Sequence, residues 1–258
     1  SEMCIRDRSY TASAMSFMLE NLAKPVVFTG SQIPIGVLRT DGRENLITAI
    51  EIAGAHIGGR PEVPEVSLYF QNRLFRANRT TKRSAEALSA FRSYNYPPLA
   101  EVGVNIAYNL PAILHPTEVS PQLRIATRLA DGIEVVKLFP GLGENILRAM
   151  LSAPGLRAVV LETFGAGNAP TNEWFIRVLK EAIGRGIIIL NITQCGGGRV
   201  SMELYETGLK LQKTGVLCGY DMTAEAAVTK LMYVLGLDLP DDRTRALLRR
   251  PLRGEFTA

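Results

Sequence analysis

The chain alternates short runs of apolar, β-branched residues with longer segments in which apolar residues recur every three or four positions. Each apolar run predicts a buried strand, and each periodic segment predicts a helix. The predicted strands cover residues 25–30, 65–70, 133–139, 158–163 and 187–190, the last continuing to about 192. The predicted helices cover residues 10–22, 42–55, 84–91, 144–151, 172–183, 222–235 and 241–248. Such alternation predicts an α/β fold, and from residue 132 onward its spacing predicts a parallel sheet with right-handed crossovers.

The start of the second predicted helix gives a more detailed expectation. Asp41 precedes this helix and is of a residue type that commonly caps the first turn. Leu46, Ile50 and Ala53 recur on one side of the same helix. We therefore predict that Asp41 caps the helix. The alternative is that Asp41 and Arg39 form a functional pair.

The strand–helix alternation is interrupted between about residues 107 and 131. Pro111, Pro116 and Pro121 fall there at regular spacing, and the segment has no helical period. This composition is typical of a linker or an edge hairpin between domains. We predict an N-terminal α/β domain over 9–106, a linker over 107–131 and a C-terminal parallel α/β domain over 132–258. Residues 1–8 have no apolar period, and we interpret them as a non-native leader.

Composition narrows the class of protein. Hydrophobic residues make up 47% of the chain and charged residues 21%, as in soluble globular proteins. The net charge of +4 comes without a dense basic block, which argues against a nucleic-acid partner. No apolar stretch is long enough to predict a membrane span. Cys4, Cys195 and Cys218 are widely spaced, form no metal-ligand pattern and suit a reducing compartment.

The polar stretch after strand 65–70 holds the main candidate for chemistry, because α/β proteins place functional groups on loops at strand ends. It contains five cations, which are Arg73, Arg76, Arg79, Lys82 and Arg83. A stretch this polar is not expected in the core. By spacing alone, Lys82 is either a solvated lysine or a proton acceptor. In the second case, the like charges of Arg79 and Arg83 would disfavour the charged form of Lys82. A phosphate or nucleic-acid patch is disfavoured, because the charges are confined to one stretch with few aromatic residues.

Two segments of the C-terminal half also follow predicted strands. Residues 165–170, with the sequence GAGNAP, lie between a strand and a helix, where open α/β sheets bind ligands. As a dinucleotide fingerprint this segment is weak, since Pro170 replaces the third glycine. The alternative is a tight turn in which Thr171 caps the following helix. Residues 193–195, TQC, precede three glycines and fit a strand end with Cys195 as a small buried residue.

Five segments together resemble the type I, cytoplasmic bacterial L-asparaginases, in the order found in that family. They are KPVVFTGSQIPIGVLRTDGRENLITAIEIA (24–53), FQNRLFRANRTTK (70–82), FGAGNAP (164–170), NITQC (191–195) and DMTAEAAVTKL (221–231). The resemblance runs over nearly the whole chain from about residue 10, and Lys82 falls on the family's catalytic lysine. It implies a larger N-terminal α/β domain, incomplete here, and a smaller C-terminal parallel α/β domain.

The resemblance also implies a function. It implies a cytoplasmic L-asparagine amidohydrolase that forms a homodimer or homotetramer and needs no metal or other cofactor. A threonine hydroxyl would attack the side-chain amide, ammonia would leave, and water would release aspartate, with Lys82 relaying protons. The family's nucleophilic threonine and Thr-Asp motif have no counterpart in this sequence, so we expect the chain as written to be inactive. The alternative is an inactive fragment or a small-molecule-binding α/β module.

Further site residues are implied by the same resemblance. Asn168 would reach the active site of a neighbouring subunit. In allosteric members, an asparagine effector contacts the residues that correspond to Thr81, Thr193, Gln194 and Cys195. Such members carry an arginine where this chain has Glu162, and a carboxylate at that position would repel the effector's carboxylate. We therefore expect no activation by asparagine.

Overall fold

The computed structural model describes residues 5–115, 122–204 and 206–257. The chain forms two compact units, one up to residue 127 and one from residue 128. Pro116 and Pro121 of the predicted linker, and the first four residues of the predicted leader, lie outside the described residues. The family expectation of two α/β units is confirmed.

Among its described residues, the N-terminal unit has two α-helices and short strands. The helices are α1 (Ile5–Met18) and α2 (Gly42–Gly54). The strands are β1 (Leu19–Glu20), β2 (Val26–Phe28), β3 (His56–Ile57), β4 (Arg60–Pro61), β5 (Val66–Phe70), β6 (Arg73–Arg76), β7 (Thr81–Lys82), β8 (Phe91–Arg92), β9 (Ala100–Val102), β10 (Ile106–Tyr108) and β11 (Arg124–Ile125). Helix α1 begins earlier than predicted, because residues 5–9 contain neither glycine nor proline to stop it.

The main sheet of this unit has the strand order β10-β9-β6-β5-β2. Only β2 and β5 run parallel, and the other pairs are antiparallel. The sheet is therefore mixed. Short connections explain the antiparallel pairs, since β5 and β6 are joined by only two residues and a parallel crossover needs a dozen or more.

Strand β5 is buried on both faces and organises the unit. Tyr69 packs in a cluster with Ala49 and Ile52 of α2, so α2 covers one face of the sheet. On the other face, Val66 packs with Ala12 of α1. Residues of β8 cover the rest of that second face. Successive side chains of β5 point to opposite faces of the sheet. Helix α2 therefore packs on one face, and α1 and the β7–β8 pair pack on the other.

Helix α2 packs on the sheet through a stripe that does not include Leu46 and Ile50. Its buried residues are Gly42, Asn45, Ala49 and Ile52. Leu46 and Ile50 are 47% and 64% exposed. The helix carries apolar residues on opposite faces, so periodicity identified the helix but could not choose the face that packs.

The segment 84–91, predicted as a helix, contains none in the structure. The Ser84 hydroxyl accepts hydrogen bonds from the backbone N–H groups of Glu86 and Ala87, which forms a local turn. The chain then reverses so that β8 pairs with β7. Pairing between these strands therefore overrides the helical propensity of the intervening residues.

The C-terminal unit is a four-stranded parallel sheet in the order β12-β13-β14-β15, as predicted for this half. Its strands are β12 (Ile133–Lys137), β13 (Ala158–Thr163), β14 (Ile188–Thr193) and β15 (Leu217–Cys218). Its helices are α3 (Glu144–Leu151), α4 (Glu173–Gly184), α5 (Glu206–Thr214), α6 (Ala224–Gly236) and α7 (Asp241–Arg249). Helix α5 and strand β15 were not predicted from the sequence. Within the part of the chain that the structure describes, no helix is long and apolar enough to span a bilayer.

Candidate functional site

Lys82 lies on the short strand β7, directly opposite Phe91 of β8. Side chains that oppose each other in an antiparallel pair project from the same face of the ladder. Phe91 is buried and makes an edge-to-face contact with Phe70 of β5, with ring centroids 5.1 Å apart. The side chain of Lys82 therefore leaves the ladder on the side that faces the main sheet. Lys82 is half-buried.

Gln32 holds this strand pair against the loop that follows β2. Its Nε2 donates hydrogen bonds to the carbonyl oxygens of Ala85 and Ala87, both at 3.0 Å, in the turn between β7 and β8. Its Oε1 is buried and has no hydrogen-bond partner among the described residues. The loop continues from the carboxyl end of β2, which is parallel to β5. Lys82 therefore belongs to a hairpin held at the edge where parallel strands place ligand sites.

The loop after β2 is ordered by Asp41, which does not cap α2 as predicted. Its carboxylate accepts the backbone N–H groups of Gln32 and Ile33 at 3.0–3.1 Å. It also accepts the side-chain amide of Asn45 at 3.1 Å, and that amide donates to the Gly30 carbonyl at 2.8 Å. Asp41 is thus the anchor of the loop. The i,i+4 spacing of Asp41 and Asn45 was the available sequence signal, and we missed it.

Two of the five cations in the polar stretch are buried, contrary to the expectation that this stretch avoids the core. Arg76 and Arg79 are each 2% exposed and stack on the ring of Tyr96, at 4.4 and 4.9 Å from its centroid. The Arg76 Nε lies 2.6 Å from Glu65 Oε2, and Nη2 donates to the Ala112 carbonyl at 2.8 Å. Burial disfavours the Arg76 charge, but Glu65 outweighs that effect and raises the pKa of Arg76.

In the C-terminal unit, the segment 164–168 forms a tight turn closed by backbone hydrogen bonds between Phe164 and Asn168. Gly167 has φ +110°, and a Cβ there would approach Val200 Cγ1 to 2.9 Å, so the position requires glycine. Thr171 does not cap the next helix. Helix α4 is preceded by Asn172, whose side chain makes no capping bond either.

Asn168 is half-buried in this turn, and its Oδ1 accepts a hydrogen bond from the Thr207 hydroxyl at 3.2 Å. Its Nδ2 donates no hydrogen bond to any described residue. The side chain is thus oriented through its oxygen. The role of Asn168 at a neighbouring subunit stays a prediction.

The candidate effector residues occupy both units. Thr81 is half-buried on β7, opposite Arg92. In the C-terminal unit, Thr193 donates to the Gly165 carbonyl at 2.6 Å. Gln194 Nε2 donates hydrogen bonds to the carbonyl oxygens of Leu138 and Glu162, at 2.6 and 2.9 Å. These bonds tie together the carboxyl ends of β12, β13 and β14.

Cys195 is exposed, so its predicted burial is wrong. It is the second residue after the end of β14 and has already left the sheet. Sequence reasoning also passed over Asn191 of β14, which is fully buried. Its Oδ1 accepts the Thr163 hydroxyl at 2.7 Å, whereas its Nδ2 has no partner among the described residues.

The matches to known proteins follow the same two-unit organisation. Residues 9–114 match the family model "Asparaginase, N-terminal", and residues 132–248 match "Glutaminase/Asparaginase C-terminal domain". L-asparaginase 1 of Escherichia coli K12 is 44% identical over 250 residues, which are 96% of this chain and 71% of that protein. The 60 kDa lysophospholipase of Mus musculus is 44% identical over 252 residues, 96% of this chain and 43% of that protein.

Solved structures agree with the sequence matches. L-asparaginase I from Vibrio cholerae superposes with a TM-score of 0.89 at 42% identity, covering 98% of this chain and 74% of that one. The thermostable L-asparaginase from Thermococcus kodakarensis gives 0.86 at 32% identity, covering 98% and 74%. With both domain models matched in order and relatives above 40% identity, this chain belongs to the asparaginase family.

Proposed function

We propose that this protein is an L-asparagine amidohydrolase, which converts asparagine to aspartate and ammonia, with Lys82 as its proton relay. The observation that carries the assignment of Lys82 is its half-buried position on a hairpin that Gln32 fastens beside the end of parallel strand β2. Sequence relatives named L-asparaginase, which match 96% of the chain, support the substrate.

The reaction needs one hydroxyl nucleophile and one amine that exchanges protons with it. A threonine hydroxyl attacks the side-chain amide carbon of asparagine, and its proton passes through neutral Lys82 to the departing ammonia. Water then adds to the acyl ester and releases aspartate, and the same amine accepts and returns the proton.

The test is ammonia release from L-asparagine by the natural protein that contains this sequence. Lys82→Met is expected to reduce kcat at least a hundredfold, the scale of a lost general acid–base group. Lys24→Met is the matched control, because Lys24 is exposed before β2 and is expected to leave the rate unchanged. A near-normal rate for Lys82→Met would remove Lys82 from the mechanism. The inactivity of residues 1–258 alone stays a prediction. Ammonia release by that 258-residue chain would contradict it.

The protein is also proposed to be a homo-oligomer, with the outer face of α2 as an interface to a second copy. Leu46, Ile47 and Ile50 form an exposed apolar stripe opposite the buried face. Arg43 and Glu51 lie four residues before and after Ile47, and both are exposed. Two copies of α2 crossing antiparallel at Ile47 would place each Arg43 beside the other copy's Glu51.

Light scattering with size-exclusion chromatography tests the interface. Ile47→Glu is expected to lower the molecular mass to that of a smaller assembly, because it buries an unpaired charge in the stripe. Leu204→Glu, at an exposed leucine outside this stripe, serves as the control. An unchanged mass for Ile47→Glu would place the interface elsewhere.

Asn168 is proposed to donate its free amide nitrogen to the active site of a neighbouring subunit. Asn168→Asp preserves the acceptor for Thr207 but replaces the donor, so it is expected to raise KM for asparagine. Glu162 is proposed to prevent activation by asparagine, which a sigmoidal rate curve would contradict. A cytoplasmic location is proposed from the type I resemblance and the two free thiols of the described residues, Cys195 and Cys218.

A further inference from the structure

Three arginine side chains line one cavity of about 410 Å³ in the N-terminal unit. Arg73 comes from β6, Arg92 from β8, and Arg83 directly follows β7. No aspartate or glutamate is among the described residues that line this cavity. The cavity therefore concentrates positive charge at one place on the surface.

The charges of these arginines are only weakly balanced from within the chain. Arg73 Nε lies 3.4 Å from Glu101 Oε1, but the two side chains are 55% and 63% exposed, so the pair is weak. Arg92 stacks over the ring of Tyr94 at 5.2 Å, which orients its guanidinium without neutralising it. Arg83 is exposed and makes no ion pair within the described part of the chain.

Strand pairing explains how residues distant in sequence converge here. Thr81 pairs with Arg92, and the Arg83 N–H donates to the Ala90 carbonyl at 2.8 Å. Arg83 and Arg92 are therefore diagonal neighbours on the same face of the hairpin, within reach of one ligand. Arg73 belongs to the main sheet. A ligand bound by all three arginines connects the hairpin that carries Lys82 to the sheet beneath it.

We propose that this cavity binds a phosphate group that carries two negative charges. A phosphate offers several oxygens, each able to accept paired N–H groups from a guanidinium fork, and a dianion balances the two uncompensated arginines. A single carboxylate would satisfy only one fork. The sequence argued against a phosphate patch because five cations shared one stretch, but two of those cations are buried and Arg92 joins from the next strand. The binding site does not depend on the proposed reaction.

Calorimetric titration of the 258-residue chain at low ionic strength tests this binding. Inorganic phosphate and glycerol 3-phosphate are titrated separately, because free phosphate and a phosphate monoester share the same chemistry. We expect binding of at least one with a Kd on the order of 1 mM or tighter. Tighter binding of one of the two shows whether the cavity favours free phosphate or a phosphate monoester. Acetate at matched ionic strength is expected not to displace either.

The variants Arg83→Gln and Arg92→Gln are each expected to weaken phosphate binding at least tenfold, since each removes a charged hydrogen-bond donor. Arg60→Gln is the matched control, because Arg60 is exposed on β4 outside the cavity. Equal thermal unfolding midpoints for all three exclude misfolding. Lack of heat at phosphate concentrations on the order of 10 mM overturns the proposal. Equal binding by the three variants, or displacement by acetate, overturns it as well.

Discussion

Lys230 and Glu255 form an ion pair of 2.7 Å in which both side chains are completely buried. The ammonium also donates to the carbonyls of Leu248 and Arg250, at 3.0 and 2.7 Å. It therefore has an acceptor for each of its three protons. The Glu255 carboxylate accepts the backbone N–H of Leu252 and that of Arg253. The pair connects α6 to the C-terminal segment, and every polar group in it is satisfied.

Glu255→Gln is expected to destabilise the protein by about 3–5 kcal/mol, because it leaves the Lys230 charge buried without its counterion. Burial lowers the pKa of Lys230, whereas Glu255 opposes that shift, so loss of the carboxylate favours the neutral amine. Urea unfolding measures the change. Glu206→Gln, which breaks the exposed pair with Lys210, is the control and is expected to leave the urea midpoint unchanged. Equal midpoints for the two variants would contradict the assigned role of Lys230–Glu255.

Gln32→Ala is expected to loosen the hairpin that carries Lys82, because it removes both hydrogen bonds to the β7–β8 turn. Hydrogen exchange is the direct measurement. The Arg83 amide, which donates to the Ala90 carbonyl, should exchange faster in the variant. Gln212→Ala, at an exposed position of α5, should leave exchange in the hairpin unchanged. Unaltered protection of Arg83 in Gln32→Ala would show that the loop does not hold the hairpin.

Tyr108→Phe is expected to leave stability unchanged or to raise it at neutral pH, because the Tyr108 hydroxyl is buried without a partner among the described residues. Burial raises the pKa of Tyr108, and Glu62 and Glu51 add to this effect. A raised folded-state pKa means that the native protein binds more protons than the unfolded chain above pH about 10.

Stability therefore falls as pH rises from about 10 through the raised pKa of Tyr108, and this fall should be smaller in Tyr108→Phe. Thermal unfolding of both proteins between neutral and alkaline pH checks the sign. If the stability of Tyr108→Phe relative to the unsubstituted protein fell with rising pH, the raised pKa assigned to Tyr108 would be contradicted.

Local periodicity predicted most of the C-terminal unit. The bounds of α3 and β13 agree with the sequence prediction, since their apolar periods are short and uninterrupted. Prediction failed where partners far apart in sequence decide the structure. Residues 84–91 form a turn because β8 must return to β7, and Arg76 is buried because Glu65 neutralises it. Neither partner can be identified from spacing.

The candidate site was predicted less completely than the fold. Spacing alone left Lys82 undecided between a solvated and a catalytic lysine, and the family resemblance selected it. Gln32 contacts residues more than fifty positions away, so no local pattern marks it. The arginine cavity likewise depends on the pairing of β7 with β8, which the predicted helix concealed.

The two-residue turn between β5 and β6 has a backbone conformation that few residue types adopt readily. Gln71 and Asn72 both adopt positive φ, at 44° and 62°. Asparagine tolerates this region better than glutamine, because its short side chain hydrogen-bonds to the nearby backbone. Gln71→Asn is therefore expected to stabilise the protein by about 0.5 kcal/mol, and Gln71→Val to destabilise it, since a β-branched residue is strained there. Urea unfolding of both variants measures the difference. Equal stability of Gln71→Val and Gln71→Asn would show that the turn is not strained at this position.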